Sequence, residues 1–381
     1  MSQRDDAAAF FAAYDALGTR RAGSQADLDS ARWLADTLGT APAVPVRLHE
    51  VPFERFVPGK ARLTATDSVP IDGLPLFDGG LTGDEPVSGL IGSLGSDARI
   101  GYAVMDPAAA SLPDNAFAKA RADSDHAAII IALTTREGGL APLNAHDLAK
   151  PFGPPVLQVA GRDAAQIASL MNRKCMVSVI VQGQREASFS FNLRAELPGQ
   201  TPPVLLLTPR TSWWTSTAER AGGIWAWAQT LRALAASPAR RRSFVGLATC
   251  GHELGHLGAR HAFAVDPDLA SEASLVIHLG ANLGTAIEAG LTVRSNVAGL
   301  ADHMAGLLAH EGYPAQSLRA VTGGKAGGEA HEIEQRGGRY LSLIGSNPWF
   351  HAPEDRWPSS IDLDRAQAIA RGVTAFALSL K

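Results

Sequence analysis

Apolar residues recur at helical spacing over residues 4–17 and 25–38. In the second stretch Leu28, Ala31, Trp33, Leu34 and Leu38 are separated by Asp27, Asp29, Arg32 and Asp36. The turn between them, Thr19-Arg-Arg-Ala-Gly-Ser24, ends in a serine placed to cap the second helix. The pattern then switches to alternation. Val46, Leu48 and Val51, followed by Ala61 and Leu63, predict two strands between Val44 and Thr66.

From residue 67 the character of the chain changes. Residues 67–112 are dense in Gly, Pro and Asp, with short apolar runs at Val87–Ile91 and Ile100–Val104. Beyond them the spacing predicts a helix at Ala116–Asp125, buried strands at Ala127–Leu133 and Val156–Val159, a helix at Ala164–Met171 and a strand at Met176–Val181. Residues 67–186 are therefore expected to form a β-rich insertion, leaving 1–66 and 187–381 as one domain.

After Ser188 strands and helices alternate. Strands are expected at Val204–Leu207, Phe244–Ala248, Leu275–Leu279 and Tyr340–Ile344, and helices at Glu219–Ala235, Asn296–His310 and Asp362–Leu380. Such alternation predicts an α/β fold with a mostly parallel central sheet covered by helices on both faces. Ligands of such sheets bind outside the carboxyl ends of the strands, so the loops that follow them should share one rim.

Those loops carry the chemistry. The first holds Trp213, Trp214, Ser216 and Glu219; the second, His252 and Glu253; the third, His278 and Asn282; the last, Trp349, Phe350, His351 and Asp355. A glycine-rich loop, Gly323–Gly328, followed by Glu329 and His331, is expected to wall the same space. Taken singly, these have plain structural readings: tryptophans as core, Glu219 as a helix-start carboxylate, His331 as a surface residue.

The stretch Cys250-Gly-His-Glu-Leu-Gly-His-Leu-Gly258 is the densest of these. His252-Glu-Leu-Gly-His256 has the form HExxH, in which two histidines one helical turn apart bind zinc and the Glu acts as base. That chemistry needs a regular helix. Gly255 inside the motif, with Gly251 and Gly258 beside it, opposes one at about 1 kcal/mol per glycine relative to Ala. The competing readings are surface histidines and a strand-end turn that presents His252 and Glu253 to a site.

Composition narrows the class. The 381 residues carry a net charge of −4 and are 46% hydrophobic, so there is no basic footprint for nucleic acid. No stretch has the length of a membrane span, and no signal-peptide pattern opens the chain. Cys175 and Cys250 lie far apart with no CxxC, so no disulfide framework is implied. A cytoplasmic protein of undetermined oligomeric state is the expectation.

The ordered set of motifs resembles the zinc aminopeptidase-like family, which includes di-zinc aminopeptidases and single-zinc glutaminyl cyclases. Arg21-Ala-Gly-Ser24 resembles the family's N-terminal R-x-G-S, and the insertion resembles a protease-associated domain. Asn192-Leu-Arg-Ala-Glu-Leu-Pro-Gly199 is similar to the strand that re-enters the catalytic sheet. Glu219-Arg-Ala-Gly-Gly-Ile resembles the helix start that carries the bridging carboxylate, Cys250–Gly258 the Glu-Glu turn, and His351-Ala-Pro-Glu-Asp355 the closing H-x-x-x-D. The resemblance implies an aminopeptidase-like fold and zinc. Pro209 and Gly280 stand where two ligands of one zinc would be, so it implies a single ion on Glu219, Glu253 and His351.

His252 takes the place of the family's general-base Glu and can serve as base itself. The reading that follows is a metal-assisted hydrolase of an amide-type bond. Trp213, Trp214, Trp349 and Phe350 would shape the pocket, and His278, Asn282, Glu329 and His331 would orient a small or short peptide-like substrate. Three alternatives stay open: a binding or regulatory protein on the same fold, an acyl- or cyclotransferase, and metal-free catalysis by Ser212 or Ser216 beside His252.

Overall fold

A computed structural model describes residues 3–40, 43–110, 115–238, 240–288 and 290–380; positions 111–112, at the end of the Gly/Pro/Asp-rich stretch, lie outside the described residues. Its main sheet runs in the order Leu318–Thr322, Leu291–Ser295, Tyr340–Gly345, Leu275–Leu279, Gln200–Pro209, Arg242–Thr249, Val177–Leu197, Val46–Ala65, Ile71–Asp72. The central strands from Tyr340–Gly345 to Arg242–Thr249 are parallel. Antiparallel pairs flank them on both sides. One face is packed by the helices Gln3–Ala16, Gln25–Leu38, Gly222–Ala236, Leu300–His310 and Leu363–Ser379. The other is packed by Leu257–Val265 and Ala330–Glu334. This is the α/β architecture that the alternation of patterns predicts.

Four local readings change. Val44–Thr66 holds one strand, Val46–Ala65, because a bulge between Pro58 and Ala61 absorbs the irregularity without ending the pairing. Its partner, Val177–Leu197, is one residue longer and runs unbroken across residues 186–187. The expected edge of the insertion at that point therefore falls inside a strand. Leu291–Ser295 and Leu318–Thr322, which the pattern does not announce, extend the sheet. The helix expected from Asn296 begins at Leu300, after a turn closed by Gly299 at φ 73°.

A second sheet lies within residues 74–160. It runs Leu74–Pro75, Val156–Ala160, Ala128–Leu133, Ile100–Met105, Ile91–Ser93, parallel except at its first edge. Phe117 and Ala120 of one helix cover one face, while Ile167 and Leu170 of another join the long hairpin on the other.

Candidate active site at the strand rim

Residues from both sheets enclose a cavity of about 690 Å³ at the carboxyl ends of the parallel strands. His252, His278, Asn282, Glu329 and Phe350 line it from the main sheet; Asp106, Thr134 and Arg136 line it from the second. Its position is the one that strand topology favours.

His252 sits on a short 3-10 turn, His252–Leu254, between glycines 251 and 255 in left-handed conformation (φ 64° and 80°). His256 is also left-handed at φ 58°. The helix begins only at Leu257, so the HExxH stretch is a turn in which Glu253 and His252 diverge. Glu253 points back into the protein. Its Oε1 accepts from Ala22 N at 2.7 Å and its Oε2 from Thr211 Oγ1 at 2.7 Å. Burial pushes its pKa up.

His252 Nδ1 lies 2.8 Å from Glu329 Oε1, and His278 Nε2 lies 3.2 Å from Glu329 Oε2. The His278 Nδ1 contacts Ser342 Oγ at 2.8 Å. With both imidazoles neutral the network has one self-consistent assignment. Both donate to Glu329, Ser342 donates to His278, and His252 Nε2 is left bare. Burial, followed by the positive charge of Arg220, lowers the pKa of His252 to about 4 and outweighs Glu329. Burial opposes ionisation of Glu329, but contact with His252 and the His278 hydrogen bond hold it well below the usual carboxylate range. At neutral pH the pair is a neutral imidazole on a carboxylate.

Glu219 and Arg220 come from an unusual element. Thr217–Ala221 is a single π-helical turn in which all five residues are buried. In an α-helix consecutive residues point about 100° apart; the widened turn directs both side chains inward, as π-turns at functional sites do. Arg220 Nη2 is 2.8 Å from Glu219 Oε1, and its Nε donates to Thr211 O at 2.8 Å. His351 Nε2 lies 3.6 Å from the same Glu219 oxygen, while its Nδ1 is 2.7 Å from Pro142 O. Burial works against the charge on Glu219, but Arg220 and then His351 keep its pKa low.

The expected ligand set is therefore not assembled. Glu219 and His351 meet, but Glu253 is turned away and both its oxygens are taken. A Cβ on Gly280 would lie 2.8 Å from Ile344 Cγ1 and 2.9 Å from His278 Cε1, so a ligand side chain there would require those neighbours to shift. Among the described residues the one group of three metal-capable side chains is His252, His256 and Glu329, with atoms within 4.8 Å of one another. Glu332 Oε1 stands 3.4 Å from His256 Nδ1, as an outer carboxylate would beside a metal-binding histidine.

The aromatic wall is smaller than expected. Phe350 lines the cavity and stacks on His351 with ring centroids 3.9 Å apart. Trp213 is buried against Phe77 and donates to Asn144 Oδ1 at 2.8 Å. Trp214 donates to His351 O at 2.9 Å, and Trp349 is buried beside the cavity without lining it. His331 lies outside the cavity, 2.9 Å from Gln335 Nε2. Trp213, Trp214, Trp349 and His331 are thus outside the cavity lining.

Sequence reasoning missed Arg220, Ser342 and Glu332. Ser342 sits on a strand that reads as plain core. Arg220 adjoins a candidate ligand, and only the π-turn makes that adjacency a contact.

No family model matches the sequence, and no curated protein matches it. Solved structures do. A zinc aminopeptidase from Bacillus subtilis aligns at TM-score 0.75 and 18% identity over 98% of this chain and 93% of its own. A peptidase M28 precursor from Shewanella amazonensis aligns at 0.72 and 17%, over 98% and 93%. The glutaminyl cyclase of Tannerella forsythia aligns at 0.53 and 11%, over 100% and 99%. The cavity at the strand rim, the order of the strands and these alignments agree: the chain has the fold of the zinc aminopeptidases and glutaminyl cyclases.

Proposed function

We propose that this chain hydrolyses an amide-type bond of a small or short peptide-like substrate in the strand-rim cavity, with His252 as general base. The observation that carries it is the His252–Glu329 contact of 2.8 Å at the cavity wall, with both side chains buried. A neutral imidazole with Nδ1–H held by a carboxylate has its other nitrogen free to take a proton from water. As the water attacks the carbonyl, Glu329 stabilises the imidazolium, which then returns the proton to the leaving amine. Asn282 Oδ1, buried without a partner, would accept an N–H of the substrate. The peptidases among the structural neighbours support the reaction class.

Zinc on Glu219, Glu253 and His351, as the fold suggests, does not fit the arrangement of those residues, so no step is routed through it. A second reading is favoured by the His252, His256 and Glu329 group, whose two nitrogens and one oxygen are donors that suit zinc. The test is an assay of released amine from short peptide amides and from peptides with N-terminal glutamine. Turnover lost in His252→Ala and Glu329→Gln, with chelator-treated enzyme still active, supports the metal-free base. Activity restored only by zinc, and lost in His256→Ala, supports the second reading. Binding without turnover of any amide would make this a binding protein.

A further inference from the structure

Glu219 and His351 meet in a buried polar pocket, with both side chains at 0% exposure. Three acceptor positions there lack a hydrogen bond: Oε1 and Oε2 of Glu219 and Nε2 of His351. His351 cannot supply a proton through Nε2 while its Nδ1–H serves Pro142 O. A buried carboxylate beside an imidazole lone pair requires a cation.

One is already present. The Arg220 side chain is fully buried, anchored at Nε by Thr211 O, and its Nη2 touches Glu219 Oε1 at 2.8 Å. Its Nη1 and Nη2 make no hydrogen bond, so the guanidinium meets Glu219 as an ion pair with all of its terminal donors unspent. A divalent ion on the same oxygen would lie in contact with a guanidinium that cannot lose its proton, in a buried setting where like charges repel strongly. Nor does a third ligand converge on Glu219 and His351: among the described residues, Glu219, Glu253 and His351 do not form a group whose ligand atoms lie within 4.8 Å of one another.

We infer that the Arg220 guanidinium is the resident cation of the Glu219–His351 pocket, and that this pocket takes no divalent metal. The inference is independent of which reaction the cavity performs. It makes Arg220 a positioning residue: it holds Glu219 and supplies internally the positive charge that a metal would bring.

The test uses the full chain. Zinc is added to chelator-stripped wild type, Glu219→Gln, His351→Ala and His256→Ala, and bound zinc and Tm are measured. Either no stoichiometric zinc, or zinc lost only in His256→Ala, supports the inference. One equivalent of zinc that raises Tm and is lost in Glu219→Gln or His351→Ala overturns it. A second arm compares Arg220→Lys, Arg220→Gln and the double variant Glu219→Gln/Arg220→Gln in the absence of metal. The expected order of Tm is wild type, then Arg220→Lys, with Arg220→Gln lowest or unfolded and the double variant partly restored. An Arg220→Gln chain that keeps the wild-type Tm overturns the inference.

Discussion

At the scale of single residues, the proposed role of His252 fixes an expected behaviour with pH. Only a neutral imidazole can act as base, and burial lowers the pKa of His252 from 6.5 to about 4. The acid limb of kcat/KM is therefore expected near pH 4, and a limb near 6.5 would place the base elsewhere. His252→Ala should reduce turnover by about 10² to 10⁴, the usual contribution of acid–base catalysis. Stability couples to the same groups. The unfolded state binds the His252 proton more tightly, so stability from this group is present above pH 6.5 and lost as pH falls toward 4. Asp355 acts oppositely. Burial raises its carboxyl from 3.8 to about 6, so its contribution is full below 3.8 and lost as pH rises through 6. The two windows overlap and oppose. Asp355→Asn should unmask a stability that rises with pH between 4 and 6, measured by urea unfolding across that range. Glu253→Ala should remove the partners of Ala22 N and Thr211 Oγ1, at a cost of about 1–3 kcal/mol for each unpaired group, and leave zinc content unchanged.

At the scale of elements, the site depends on how tightly its loops are pinched. The Asn282–Leu283 turn is wedged between two glycines. A Cβ on Gly222 would fall 1.6 Å from Leu283 O, and one on Gly345 would fall 1.9 Å from Asn282 O. Asn282 is held between them in left-handed conformation at φ 65°, with its side chain on the cavity. Gly345→Ala should destabilise by about 1–3 kcal/mol and raise KM by moving Asn282, a combination that denaturation and steady-state kinetics detect separately. Asp355 braces the neighbouring π-turn by accepting from Ala218 N at 2.7 Å and Glu219 N at 2.9 Å. The same turn directs Arg220 inward, so the local backbone determines which charge occupies the buried pocket.

At the scale of the whole molecule, the two sheets are joined by more than the long hairpin. Ala145 N donates to Glu253 O at 2.9 Å, Asn144 holds Trp213, and Pro142 O holds His351. These bonds tie the loop after Ala128–Leu133 to the floor of the site. Calorimetry should therefore show one unfolding transition, with van't Hoff and calorimetric enthalpies agreeing; two resolved transitions would mean that the contacts do not couple the sheets. No described helix is long and apolar enough to cross a membrane. What the sequence by itself determined was most of the elements, the strands Leu291–Ser295 and Leu318–Thr322 excepted, and the rim. Apolar periodicity depends on local geometry, so the strand ends carrying His252, His278, Asn282 and His351 could be placed from spacing alone. The tertiary structure decided which of those side chains meet. Glu253 turns inward because glycines on either side of its turn break the helix that HExxH requires, and Ala22, remote in sequence, receives it. Arg220 reaches Glu219 because a π-turn adds a residue to the helix start. Direction and charge pairing at a buried site depend on backbone conformation and on partners far along the chain, and a linear pattern of polar and apolar residues records neither.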